Sequence, residues 1–222
     1  MDRVRPLPGW HTAPVTTTSP ADEVVAAARR CFARYGITRA TMEDIAAEAG
    51  IGRTGVYRLG LSRRELNDAA ILARLREGTD ELRPLMQRDL DFAELLVEGS
   101  VAAIEWARHD EELQNLLGKT RTVALHRLLI GPEAVMHGLI HSVTAEPFRR
   151  ARAAGRMRTD IDDAAAVDWI QNIFLVMLLR DDLDPPRTRA RLWTFLVPAL
   201  ATIDYQRELS AQGGLGVTGA AV

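Results

Sequence analysis

Residues 41–57 read Thr41-Met42-Glu43-Asp44-Ile45-Ala46-Ala47-Glu48-Ala49-Gly50-Ile51-Gly52-Arg53-Thr54-Gly55-Val56-Tyr57, and this stretch decides the fold. Ile45, Ala46 and Ala49 recur at helical spacing and are small enough for a second helix to lie against them. Gly50 supplies the left-handed backbone that a tight turn needs. Ile51 plugs the joint, and Val56 anchors a second short helix over Arg53–Arg58. Arg53, Thr54, Gly55, Tyr57 and Arg58 are left to face outward, an odd surface for a helix that only supports a core. Two short helices joined in this way form a helix-turn-helix, whose second helix enters the DNA major groove with its N-terminal part against base edges.

Outward from this stretch the chain reads as helices. Ser19-Pro20-Ala21-Asp22 is a helix start, with a hydroxyl cap, Pro at the first helical position and an acid in the first turn. Val24, Ala28, Cys31, Phe32 and Tyr35 follow at helical spacing, and Gly36 stops that helix. Ser62-Arg63-Arg64-Glu65 is a capping box that opens a fourth helix, expected to run to about Arg76. Beyond Gly78 the expected helices are 91–109, 111–117, 121–129, 133–154, 162–180 and 188–206, punctuated by Gly131-Pro132, Gly155 and Asp184-Pro185-Pro186. No convincing strand, repeat or phosphate loop is visible. The expected fold class is all-α, with a small helix-turn-helix domain at the N-terminus and a larger helical domain after it. Residues 1–18, rich in Pro and Thr, read as a disordered arm, and 211–222 as a flexible tail.

Composition bounds the function. The chain carries 28 Lys and Arg against 30 Asp and Glu. Residues 1–76 hold twelve Arg and eight acids, whereas 77–222 hold sixteen bases and twenty-two acids. A basic head on an acidic body suits a protein that sets one end on phosphate. No apolar run reaches the ~18 residues of a membrane span, and the first ten residues lack the apolar core of a secretory signal. The single cysteine, Cys31, excludes an internal disulfide framework and a multi-cysteine zinc site, and reads as a small core residue. These features make the cytoplasm the expected compartment.

The segment from Val24 to Leu66 resembles the N-terminal domain of the tetracycline-repressor (TetR) family. The matching residues are Ala27-Ala28 and Phe32, Gly36, Thr41, Ile45-Ala46, Ala49-Gly50, Val56-Tyr57, and Ser62-Arg63 with Leu66. Gly155-Arg156-Met157-Arg158-Thr159-Asp160 before a long apolar helix, and a last helix with Leu196-Val197-Pro198, agree with that family's C-terminal part. Leu59-Gly60 departs from the family's aromatic pair, Arg63 replaces its usual Lys, and Gly52 its usual Ser. The resemblance implies a DNA-binding domain over 19–66 and a regulatory and dimerisation domain over 67–210. It assigns Thr41, through hydroxyl and amide, to backbone phosphate, with Tyr57, Arg63 and Arg39 in the same task. Arg53, Thr54 and Arg58 become the readers of base edges, with Gly55 on the same face.

The resemblance further implies a homodimer on a palindromic operator, released by a small and mainly apolar effector, with no cofactor. The stretch Trp169-Ile170 and Ile173 to Leu179 leaves almost no polar face and must be buried on all sides. One face can pack in the core while another meets a partner, the alternative being that it simply fills a monomer core. Trp169, Phe174, Trp193, Phe195, Leu196 and Leu200 are the expected dimer contacts. Trp106, His109, His126, Met136, His137, Phe148 and Asn172 are the expected pocket lining. His137 and His141 stand at metal-ligand spacing but lack a third ligand, so no metal is expected. An enzyme would need an organised nucleophile, cofactor loop or metal cluster, and none is visible. The rival is a helical sensor or interaction protein of the same fold without sequence-specific DNA binding, which Leu59-Gly60 and the modest head charge favour. Repressor and activator differ by operator position, not by residues.

Overall fold

The computed structural model describes residues 19–118, 121–130 and 135–212, without the side chains of Arg53 and Val135. The arm expected over 1–18 and residues 213–222 of the tail lie outside the described residues. Among the described residues twelve helices follow one another: α1 (Pro20–Tyr35), α2 (Met42–Glu48), α3 (Arg53–Arg58), α4 (Arg63–Met86), α5 (Phe92–His109), α6 (Glu111–Leu117), α7 (Arg121–Ile130), α8 (Val135–Ala153), α9 (Asp163–Leu178), α10 (Pro185–Phe195), α11 (Val197–Leu200) and α12 (Ile203–Ala211). Extended pairing among the described residues is a single antiparallel bridge, Met157 to Ala201. The fold is all-α.

Local chemistry fixes the helix starts. Ser19 with Asp22, Thr41 with Asp44 and Ser62 with Glu65 each form a reciprocal capping box, hydroxyl to the third amide and carboxylate back to the cap amide. Asp91, Asp110, Asp162 and Asp184 cap α5, α6, α9 and α10. A carboxylate there satisfies orphan amides and meets the positive end of the helix dipole.

Two helices differ from expectation. The fourth runs to Met86, through Gly78 and with Pro84 inside it. Gly78 is no terminus: a Cβ on it would lie 2.2 Å from the Trp106 ring, so its bare backbone is where the α5 indole rests. The last expected helix, 188–206, is three helices. It begins earlier because Asp184 caps it and Pro185 occupies the first turn, where a missing N–H costs nothing. It breaks at Ala201, whose extended backbone lets Thr202 donate to Arg156 O at 2.8 Å and Arg158 donate to Leu200 O at 2.9 Å.

Nearly all the buried apolar side chains form one connected cluster, from Val24 in α1 to Leu209 in α12. At its far end the Phe92 ring stands 6.5 Å from those of Phe148 and Tyr205, and the Tyr205 hydroxyl accepts from the Ala93 amide at 3.1 Å. Leu196 and Leu200, expected at a dimer surface, are fully buried here. They close the core at the α10–α11 corner. Cys31 is also buried, and desolvation pushes its thiol up from the ordinary value. No described helix is long and apolar enough to cross a membrane.

Candidate nucleic-acid interface and ligand cavity

The head is α1, α2, α3 and the start of α4. Ala49 ends α2, Gly50 takes φ +67°, and the Ile51 amide donates to Ala46 O at 3.0 Å, which folds the chain back into α3. Val56 is fully buried and pins α3 from within. Thr54, Tyr57 and Arg58 are exposed on its outer side. Arg58 makes no ion pair with any described residue, so its charge is available to a partner, while the Arg53 side chain lies outside the described residues. Gly55 is half-buried and sits over Ile51: a Cβ there would lie 3.4 Å from the Ile51 side chain. Arg39 is exposed beside this face, its Nε donating to Tyr35 O at 3.0 Å.

Two residues expected on phosphate make contacts inside the head. The Thr41 amide and hydroxyl both donate to the Asp44 carboxylate, at 2.8 and 2.7 Å. That bond holds the Asp44 carboxylate below its ordinary range. Thr41 is thus a helix cap whose donors are already engaged by an anion. Arg63 turns inward: its guanidinium donates to Ile37 O and Ala40 O and lies 5.9 Å over the Phe32 ring. It ties α4 to the α1–α2 loop. Leu59-Gly60, the poorest match to the family, forms a defined turn, with Gly60 at φ +73° and Leu61 buried beyond it.

Below the head, α4 to α9 line an apolar cavity with a partly open mouth. Trp106 and Met136 line it as expected. His109 and His126 are exposed. His137 reaches Ala164 O at 3.3 Å and Asp168 at 3.8 Å on α9, and Asn172 bonds Asp168 O on the outer side of the same helix. Phe148 is buried away from the cavity, against Phe92. Those five side chains therefore do not line it. Phe174, expected at the dimer surface, lines the cavity instead: Ile170, Phe174 and Leu178, four apart, face inward. The opposite stripe of α9, with Trp169, Val176 and Leu179, is exposed, as is Phe195 of α10; Trp193 is half-buried against the core.

An ionic network joins head to cavity, and sequence reading missed it. Arg29 on α1 holds Glu77 of α4 at 2.5 Å and Glu112 of α6 at 2.7 Å. Arg74 on α4 holds Asp110 at 2.7 Å and also reaches Glu77 and Glu81. Its guanidinium lies 4.9 Å over the Trp106 ring, whose Nε1 donates to Glu81 at 3.0 Å. The Arg74 hydrogen bond holds the Asp110 carboxylate below its ordinary range, and Arg29 does the same for Glu77. The signal was present in the spacing of Arg74, Glu77 and Glu81, three and seven residues apart on one helical face.

Residues 24–66 match the family model described as bacterial regulatory proteins, tetR family. An uncharacterized HTH-type transcriptional regulator of Mycobacterium tuberculosis is 27% identical over 138 residues, 61% of this chain and 68% of that protein. Among solved structures, the TetR-family repressor QsdR of R. erythropolis superposes with TM-score 0.61 at 16% identity, covering 81% of this chain and 94% of that one. RolR, solved with resorcinol, gives 0.58 at 15% identity over 87% and 93%. The structural likenesses carry the fold, and residues 24–66 carry the likeness to the TetR family of bacterial regulatory proteins.

Proposed function

We propose that the chain is a repressor that binds a palindromic operator as a homodimer and is released by a small, mainly apolar effector held in the α4–α9 cavity. The observation that carries this reading is that α4 belongs to both ends. Its first turn is tied to the head by Arg63, and its stretch from Leu75 to Met86 forms a cavity wall. RolR, of similar fold, is solved with a small phenolic ligand, which supports an effector role for such a cavity. The exposed stripe of Trp169, Val176 and Leu179, with Phe195 beside it, supports pairing through α9 and α10. One head reads too few bases for useful specificity, and a dimer doubles the site. Thr54 and Arg58 are the readers of base edges, with Tyr57 and Arg39 on phosphate. A transcription regulator of this kind works in the cytoplasm.

Gel-shift titration against DNA flanking the gene tests the reading. The folded chain, dimeric by sedimentation, is expected to bind an inverted repeat at low salt and to leave it when effector is added. A folded dimer that binds no local repeat would favour the sensor without sequence-specific DNA binding.

A further inference from the structure

We propose that the cavity takes an amphipathic monocarboxylate, an apolar chain or ring ending in one acid group, with that group on the guanidinium of Arg121. The proposal rests on the effector reading of the cavity. Among the described residues Arg121 is the one charged side chain in the lining, and no acid faces it there. It is half-buried at the first position of α7. Its Nη2 donates to Leu178 O at 2.6 Å, but its Nε is buried with no hydrogen-bond partner. Arg74, Arg108, Arg127 and Arg152 are half-buried too, and each has a carboxylate within salt-bridge distance. Arg121 has none among the described residues.

A guanidinium withdrawn from water with an unanswered N–H is costly, and the cost is removed by an anion that accepts from it. Arginine presents a planar fork that matches a carboxylate through two parallel bonds. The shape of the cavity agrees. Its lining runs from Leu75 to Met86 along α4 and from Leu96 to Ala107 along α5, roughly 16 Å at 1.5 Å per residue. Arg108 on α5 donates to Met177 O and Arg121 to the next carbonyl, Leu178 O, so Arg121 stands at the Ala107 end. From there the space extends toward Met86 and Leu96 between apolar walls. An occupant with its charge at one end and an apolar body along the rest satisfies both features.

Calorimetric titration of the full chain with decanoate and 4-phenylbutanoate, each against its methyl ester, tests this. The wild type is expected to prefer acid to ester by about tenfold or more, the scale of a charge-assisted pair. Arg121→Gln should bind acid and ester alike, and Arg121→Lys should keep part of the preference. A merely structural Arg121, holding Leu178 O, would shift acid and ester together. Equal or tighter ester binding by the wild type, or an undiminished acid preference in Arg121→Gln, overturns the proposal and leaves the effector reading standing. If the folded wild type binds neither acids nor esters, the effector reading of the cavity falls with it.

Discussion

At the scale of single residues, Arg58 at the end of α3 and Arg63 at the start of α4 separate by geometry. Arg58 is exposed on α3 and Arg63 is bound to Ile37 O and Ala40 O. Arg58→Ala is expected to weaken operator binding by about 1–3 kcal/mol, the range for a base-edge contact, and to change binding to random DNA little. Arg63→Ala leaves two loop carbonyls without their donor. It should lower the melting temperature first and weaken both DNAs equally as the head loosens. Fluorescence anisotropy on operator and scrambled duplexes, beside thermal melts, separates the two patterns. A melting temperature unchanged by Arg63→Ala would contradict the tie. These roles were only half legible in the sequence. Spacing placed Val56 inside and Arg58 outside correctly, because helical period decides which side a residue takes. It could not tell that Arg63 folds back or that Asp44 engages Thr41, since both depend on where a neighbouring carbonyl or carboxylate ends up.

At the scale of elements, caps made the N-terminal helices readable and close approach made α4 unreadable. Ser19, Thr41 and Ser62 start their helices through bonds to residues three positions on, so the signal is local. Gly78 looks like a stop in one dimension because its use is non-local. The Trp106 ring lies on it, and that ring is held by Arg74 and by its bond to Glu81. Gly99 repeats the arrangement against Met86, where a Cβ would meet Sδ at 2.4 Å. The two should respond differently to the same methyl group. Met86 is flexible and can swing, so Gly99→Ala is expected to be mild. The indole is fixed on two sides, so Gly78→Ala should cost about 1–3 kcal/mol by overpacking. Chemical denaturation of both variants measures this, and equal losses would mean that the indole is not held as described. The pocket residues were least legible for a related reason. An apolar side chain at the right spacing points inward, but whether it meets another side chain, as Phe148 does, or empty space, as Phe174 does, depends on six helices at once.

At the scale of the whole molecule, ion pairs tie head to body beside a shared apolar core, and this gives stability a pH signature. Glu77 and Asp110 have folded values below their ordinary 4.5 and 3.8, held there chiefly by Arg29 and Arg74. A carboxylate depressed by folding contributes fully above its unfolded value and loses that contribution as pH falls through the folded one. Stability from this network should therefore be constant from pH 7 down to about 5 and decline below about pH 4. Asp110→Asn should melt lower than the wild type at pH 7, and the gap should narrow toward pH 3. A gap independent of pH would place the loss in the α6 cap alone. The Gly78–Trp106 contact has a mechanical consequence for the same helix. With no side chain between them, α4 cannot slide along α5 without lifting the indole, so the contact acts as a fulcrum. The arm to Met86 is about 12 Å and the arm to Ser62 about 24 Å at 1.5 Å per residue. As a rigid rod, α4 would tilt about that point, and a displacement at the Met86 end of the cavity would arrive at the head doubled and reversed in direction.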